Sequence, residues 1–404
     1  MFAFRGTTLL AIFLIAVPLK AEAQVGIPDV EFQRLTPAFQ SQEIHPHPVL
    51  RALGEATVAA HGYPGAARIN PATFGTPDQV RVGSNISLGG NGPLPSSDWL
   101  FGSTWTTNPY VEAQHGRWAG AYQYRRFDAG SVQDRNNIQT AHTLSGAYTL
   151  SDRWRVGAGV NILYEAISGQ RIGADSEPAS SRRGVSVDLG AHYTRSFAVA
   201  EGTLHTSWGA SLTDFGPHAD TPKDGISGAP SEEPLATRLR TGAAVGYALP
   251  AGWANRSPLS VDVFGALSKE MQAYDETGDL YGPFASLIQT WSAQPAFSTT
   301  SVTGDEQASL GEQITHHLGA QVKVYDILSL QAGRFHEPEA VGGRQYTTLG
   351  WGVNLYYVTL NRSWTASAHN GFFEDLGHWQ ITARIPLSES PRNFWPSLLD
   401  QVGL

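Results

Sequence analysis

The chain has 404 residues, a formal net charge of −9, 41% hydrophobic and 16% charged residues, and no cysteine. The acidic balance argues against nucleic acid as a partner, and the missing cysteines argue against a disulfide-stapled secreted domain. A low charged fraction combined with 43 glycines suits a close-packed β wall whose outer surface meets lipid rather than water.

Met1 to Arg5 carry a positive charge, Thr8 to Leu19 are almost wholly apolar, and Ala21-Glu22-Ala23 is a small-x-small cleavage pattern. Residues 1–23 therefore read as a secretory signal peptide. No later stretch is long and apolar enough for a spanning helix. Residues 24–79 are rich in Pro, Gly and small side chains without a clean period. We expect this segment to plug a lumen, with Gly54, Asn70 and Pro71 among its packed positions. From Val80 onward the dominant signal is alternation. Trp154, Val156, Ala158, Val160, Ile162 and Tyr164 share one face, and Arg153, Arg155, Gly157, Gly159 and Asn161 share the other. That is the side-chain repeat of a strand.

Fourteen such segments follow in order: 80–89, 97–106, 117–127, 140–150, 154–166, 184–195, 203–214, 237–249, 258–268, 313–324, 327–336, 345–356, 357–367 and 377–386. Each is near the ~9–11 residues that cross a bilayer as a tilted strand, and an even number closes an antiparallel barrel without a free edge. The fold class predicted is thus all-β, a transmembrane antiparallel β-barrel over 80–387, followed by a periplasmic tail at 388–404. Connections after strands four, ten and twelve are tight, whereas 128–139, 167–183, 215–236 and 269–312 are long. Short periplasmic turns and long outer loops place both termini in the periplasm of a cell with an outer membrane. The first pair of loops departs from the rule, because 90–96 is shorter than 107–116.

Arg153, Arg155, Arg238, Arg240, Arg334 and Arg384 fall on the expected inward face, with Asp188 and Glu165 as candidate partners. Buried charges need such partners. Loop 269–312 carries Leu280, Tyr281, Phe284, Leu287, Ile288, Trp291 and Phe297, a high apolar content that marks a candidate binding surface.

Ala52-Leu53-Gly54-Glu55-Ala56 through Asn70-Pro71-Ala72 resembles the N-terminal signature of the FadL-like outer-membrane barrels, with a closer likeness to the PorV/PorQ family of type IX secretion. Ser211 to Pro217 with Pro234 to Ala244, and Leu330 to Glu337 with Gly342 to Gly352, are similar to later family motifs. Asp214 stands where the family usually has Asn. The resemblance implies a barrel of about 14 strands that binds the C-terminal domains of exported cargo and passes them from the secretion translocon to the surface attachment machinery. Loop 269–312 would then be the contact surface. The alternative is FadL-like transport of long-chain fatty acids or other hydrophobic molecules. The third class, a lipid-modifying enzyme or an architectural barrel, finds no residues to carry it.

No catalytic pattern competes. A Gly-x-Ser-x-Gly elbow is missing, and His336-Glu337 lacks the second His of a zinc helix and precedes Pro338. Gly157-x-Gly159 and Gly350-x-Gly352 sit inside strands without a following helix. His45 and His47 have no carboxylate close in sequence, His316 and His317 point to opposite faces, and Asp275, Glu276 and Asp279 lack EF-hand spacing. Neither a cofactor nor a metal is expected, and the partners expected are outer-membrane lipid, translocon and cargo.

Overall fold

The computed structural model describes residues 39, 42, 45, 47–89, 105–132, 135–169, 180–220, 232–251, 256–273, 280–295, 307–355, 357–369 and 376–387. The expected signal peptide, the 388–404 tail and Phe297 lie outside the described residues. Fourteen antiparallel strands close into one barrel. In chain order they are β1 (Gln79–Gly89), β2 (Trp105–His115), β3 (Trp118–Val132), β4 (Arg135–Thr149), β5 (Trp154–Gly169), β6 (Ser180–Val199) and β7 (Gly202–Phe215). The remainder are β8 (Arg238–Ala248), β9 (Leu259–Glu270), β10 (Ile314–Val324), β11 (Leu328–His336), β12 (Gln345–Asn354), β13 (Val358–His369) and β14 (Leu376–Pro386). β1 pairs with β14, from Gln79 opposite Pro386 to Gly89 opposite Leu376, so no edge is left open.

The alternation has the sense read from the sequence. On β5, Trp154, Val156, Val160, Ile162 and Tyr164 are exposed on the outer face while Arg155, Asn161, Leu163 and Glu165 are buried inside. Val185, Leu189, Val245, Val263, Leu318, Leu330 and Ile381 continue the exposed apolar face around the wall. Such a surface is stable when its solvent is hydrocarbon. No helix of the described residues is long and apolar enough to cross a membrane.

One end of the barrel is closed by short turns. One of them joins β10 to β11, where Tyr325 and Asp326 have left-handed φ values of 52° and 53° and the Ile327 N–H donates to the Val324 carbonyl at 3.0 Å. Two consecutive positive φ values give the turn whose twist matches paired strands. The other end carries the longer connections.

Three expectations are corrected here. β2 runs over 105–115 rather than 97–106, and Pro109 in its middle explains the misreading, since proline is ordinarily excluded from a strand interior. The Asn108 side chain compensates by donating to the Tyr124 carbonyl at 3.0 Å. With β2 moved, the β1–β2 connection becomes 90–104 and the β2–β3 turn becomes 116–117, which removes the exception in the first pair of loops. Residues 128–139, expected as a long loop, mostly extend the β3–β4 hairpin to Val132 and Arg135.

Candidate functional site

The inner wall is cut to receive the segment 47–75. A Cβ added at Gly157 would lie 2.2 Å from the Pro71 carbonyl oxygen, at Gly190 2.0 Å from Asn70 Oδ1, at Gly209 2.1 Å from the Val58 carbonyl oxygen, and at Gly333 2.1 Å from the Gly54 nitrogen. These glycines sit at inward positions of β5, β6, β7 and β11, where any side chain would collide with the segment, with its backbone at Gly157, Gly209 and Gly333 and with the Asn70 side chain at Gly190. Leu50, Leu53, Val58, Ala59, Ile69, Phe264 and Ala266 form an apolar cluster between segment and wall. The short helix α1 (Pro48–Ala52) rests on β12 and β13, and the hydroxyl of Thr348 on β12 donates to the Arg51 carbonyl at 2.8 Å.

Asn70, Pro71 and Ala72 form a turn in which the Asn70 side chain is engaged at both its oxygen and its nitrogen. Asn70 Oδ1 accepts the Ala72 N–H at 2.9 Å, and its amide donates to the Val58 carbonyl at 2.8 Å and the β6 Ala191 carbonyl at 3.0 Å. One side chain thereby holds its own turn, the preceding loop and the wall.

Three polar clusters add directional contacts. In the first, Arg68 donates to Asp214 Oδ2 at 2.5 Å, and Gln42 donates to Asp214 Oδ1 at 2.7 Å. Asp214 lies at a bulge, where the β6–β7 register shifts between Val187 and Leu189 and its own φ is 56°. Its N–H donates to Asp188 at 2.7 Å, and Asp188 also accepts from Asn161 at 2.9 Å. The carboxylate at position 214 thus gives Arg68 an ionic partner. The second cluster centres on Glu55, which accepts from Tyr346 at 2.9 Å and lies 3.3 Å from His45 and 3.5 Å from Arg51. Burial alone would raise the Glu55 carboxyl, but His45, Arg51, His317 and Arg240 hold it well below the ordinary carboxylate range. In the third, Arg81 lies 2.8 Å from Glu112 and donates to the Gly62 carbonyl at 2.5 Å, while Arg155 meets His61 Nε2 at 2.5 Å.

His47 is enclosed by Gly65, Asn85 and Gln380, with the two amide nitrogens 2.9 and 3.3 Å from its Nδ1. Burial, reinforced by the Arg125 charge, lowers its pKa to about 3. It is therefore neutral at ordinary pH and accepts rather than donates at Nδ1.

Of the inward charges read from the sequence, Arg155, Asp188, Arg238 and Arg240 are buried in the bore, and Arg238 pairs with Glu270 at 2.7 Å. Arg384 is partly buried and donates to Asn354 at 2.9 Å. Glu165 is buried 3.4 Å from Arg182. Arg153 is instead exposed in the β4–β5 turn, one residue short of the strand. Arg334 is also exposed, on the outer face: its neighbour Gly333 takes the inward position against Gly54. Gly54, Asn70 and Pro71 all touch the wall, whereas the inward glycines were visible in the sequence only as small residues on a polar face.

At the long-loop end the bore finishes in a second apolar cluster of Phe39, Ala141, Leu163, Ala219 and Leu235. Phe39 covers Gly184, and Leu235 covers Gly216. Beside this mouth lies helix α2 (Pro283–Gln289), started by its proline at the first turn. Phe284, Ile288 and Trp291 fall on one face and are 74%, 73% and 49% exposed. Phe284 meets Phe215, the last residue of β7, at 5.1 Å between ring centres. Leu280, Tyr281 and Leu287 are partly buried, and the Tyr281 N–H is tied to the Ala273 carbonyl at 3.0 Å. No group of three or more metal-ligating side chains occurs among the described residues.

A closed fourteen-stranded antiparallel barrel with an apolar outer face is a transmembrane β-barrel of the outer-membrane class. No protein-family model matches the chain, and no curated protein matches it. It is similar in structure to the CymD monoaromatic hydrocarbon channel, with 11% identity over 84% of this chain and 95% of that one and a TM-score of 0.42. It is similar also to the Ralstonia pickettii toluene transporter TbuX, with 12% identity, 83% and 96% coverage and a TM-score of 0.41. A Pseudomonas aeruginosa FadL homologue shows 12% identity, 85% and 99% coverage and a TM-score of 0.39. Likeness at this level carries no inference about activity.

Proposed function

We propose that this barrel admits hydrophobic small molecules across the outer membrane, with the long-loop end outside and residues 47–75 serving as a plug. The observation that carries the reading is one apolar path at the loop end. The exposed face of α2 meets Phe215 through Phe284, and the next residue, Gly216, lies under Leu235 of the cluster that also holds Phe39 and Leu163. An exposed apolar face on a membrane protein's water-facing rim is costly unless it binds something apolar. The polar clusters beneath it are contacts that can be exchanged for water, so release of the segment would open the bore. The test is uptake of labelled oleate and toluene by an outer-membrane host lacking its own hydrophobic channel. Uptake restored by the chain, and reduced by Phe284→Ser with Ile288→Ser, supports the reading. Folded barrel at the surface without uptake of either compound refutes it.

The handling of exported proteins is the second reading, and the same α2 face is what favours it, because an apolar helical face can seat a protein domain as well as a small molecule. That reading otherwise rests on the sequence resemblance. Recovery of a translocon subunit or of cargo C-terminal domains with the tagged barrel would select it.

A further inference from the structure

The outward Arg334 belongs to a cationic group that the bore does not use. His316 on β10 and His336 on β11 are cross-strand partners, with ring centres 6.4 Å apart. Arg334 sits two residues from His336 on the same outer face, opposite Leu318 on one side and Thr347 on the other. The face changes character within one rung. Leu318 is 60% exposed opposite Arg334, and Val263 and Leu330 continue the exposed apolar face on the short-turn side. Arg334, His316 and His336 lie towards the loop end with Gln345 beside them, and Leu267 is exposed opposite His316 as the last apolar residue of β9 on that face. Among the described residues no ion pair joins any of the three basic side chains. The nearby carboxylates are otherwise directed: Glu337 is held by Arg344 at 2.8 Å, and Glu312 bonds Ser309; Glu339 stands exposed on the connecting loop.

A hydrocarbon belt that ends on three basic side chains marks the level at which lipid headgroups begin. A guanidinium on the wall at that level binds a phosphate oxygen pair and leaves the acyl chains against Leu318 and Leu330. We propose that His316, Arg334 and His336 form a binding site for the phosphorylated headgroup of a membrane lipid, fixing the β10–β12 side of the barrel in its leaflet. Charge complementarity and continuity with the apolar belt together favour this occupant over a soluble protein, which would find hydrocarbon on half of its footprint. The site is independent of what passes through the bore.

The test is native mass spectrometry of the full barrel in detergent with bis-phosphorylated lipid A and with the same lipid after removal of its phosphates. Wild type should retain the phosphorylated lipid. Arg334→Gln should weaken retention about fivefold, the order expected for one basic side chain near a charged headgroup, and the further changes His316→Gln and His336→Gln should weaken it more. Arg126→Gln, whose guanidinium lies 3.6 Å from Asp128, should bind as wild type does, and all variants should melt as wild type does. Equal retention of the dephosphorylated lipid, or retention by Arg334→Gln equal to wild type, would overturn the proposal. Retention of inorganic phosphate alone as strong as that of the phosphorylated lipid would overturn it too, by making the site one for the free anion.

Discussion

Gly157→Ala is the smallest change that should unseat the N-terminal segment. The added methyl would stand 2.2 Å from the Pro71 carbonyl oxygen and 2.6 Å from the Ala72 nitrogen, where ordinary contact begins near 3.4 Å. Pro71 would have to retreat by about 1 Å, yet Asn70 ties that turn both to Val58 and to the β6 carbonyl of Ala191. Overpacking of a well-packed site costs about 1–3 kcal/mol. Near 2 kcal/mol, the balance between seated and released segment shifts roughly thirtyfold, since 1.4 kcal/mol is tenfold. The assay is hydrogen exchange at the amides of Gly62, Asn70 and Thr73, which are bonded to Thr73, Ala66 and Asn70 carbonyls. We predict exchange there about thirtyfold faster than in wild type, with β5 amides unchanged. Gly120→Ala is the control, because a Cβ at that outward position meets nothing within 4 Å. If Gly157→Ala exchanged no faster than wild type or this control, the claim that the wall is cut for the segment would be refuted.

Asp214→Ala removes the carboxylate that Arg68 and Gln42 both address; loss of one partner of a buried pair costs about 3–5 kcal/mol, and protease should then cleave residues 47–75 in the folded barrel far faster than in wild type. Acid should act in the same direction. The pKa of buried His47 is depressed to about 3, so its contribution to the seated state is complete above its ordinary pKa of about 6.5 and is lost as pH falls toward 3. Between pH 6.5 and 5 that amounts to about 2 kcal/mol, read as a lower protection factor of the Gly62 amide at pH 5 once the slower intrinsic exchange in acid is divided out. His47→Gln should reduce the loss, and buried His45 and His61 of the same segment, whose pKa values are also lowered by burial, account for the rest. Combining Phe284→Ser, Ile288→Ser and Trp291→Ser should lower uptake of dilute hydrophobic compounds at least severalfold while leaving the melting temperature unchanged, since these side chains lie mostly in solvent; normal uptake by that variant would remove α2 from the path.

The wall was legible in the sequence because period two persists when one face meets lipid and the other a polar bore. Arg155, Asn161 and Glu165 follow the rule without exception along β5. The rule failed where a local element broke it. Pro109 hid the middle of β2, because Asn108 supplies from its side chain the bond that proline's missing N–H weakens. Arg334 reads as inward beside the other arginines of the polar face, although Gly333 next to it has the inward place. The loop-end helix face was visible as apolar content, but its spacing on one side of α2 required coordinates. The seat of the N-terminal segment was least legible, because glycine carries no side chain whose pattern announces a partner. Its meaning depends on Pro71, Val58 and Gly54 arriving from elsewhere in the chain. Asp214 stands out in the sequence only through a motif resemblance, and its contact with Arg68 depends on a residue 146 positions away.

The central claim, that the seated segment closes the path of a hydrophobic molecule, is tested most directly by locking it in place. The chain has no cysteine, and the Ser207 hydroxyl lies 2.8 Å from the Ala59 carbonyl, which makes Ala59→Cys with Ser207→Cys the pair to oxidise as a tether between segment and wall. Uptake of labelled oleate and toluene should be lost in cells bearing the oxidised double variant and should return on reduction. Equal uptake in the two states, with the disulfide verified, would contradict the account.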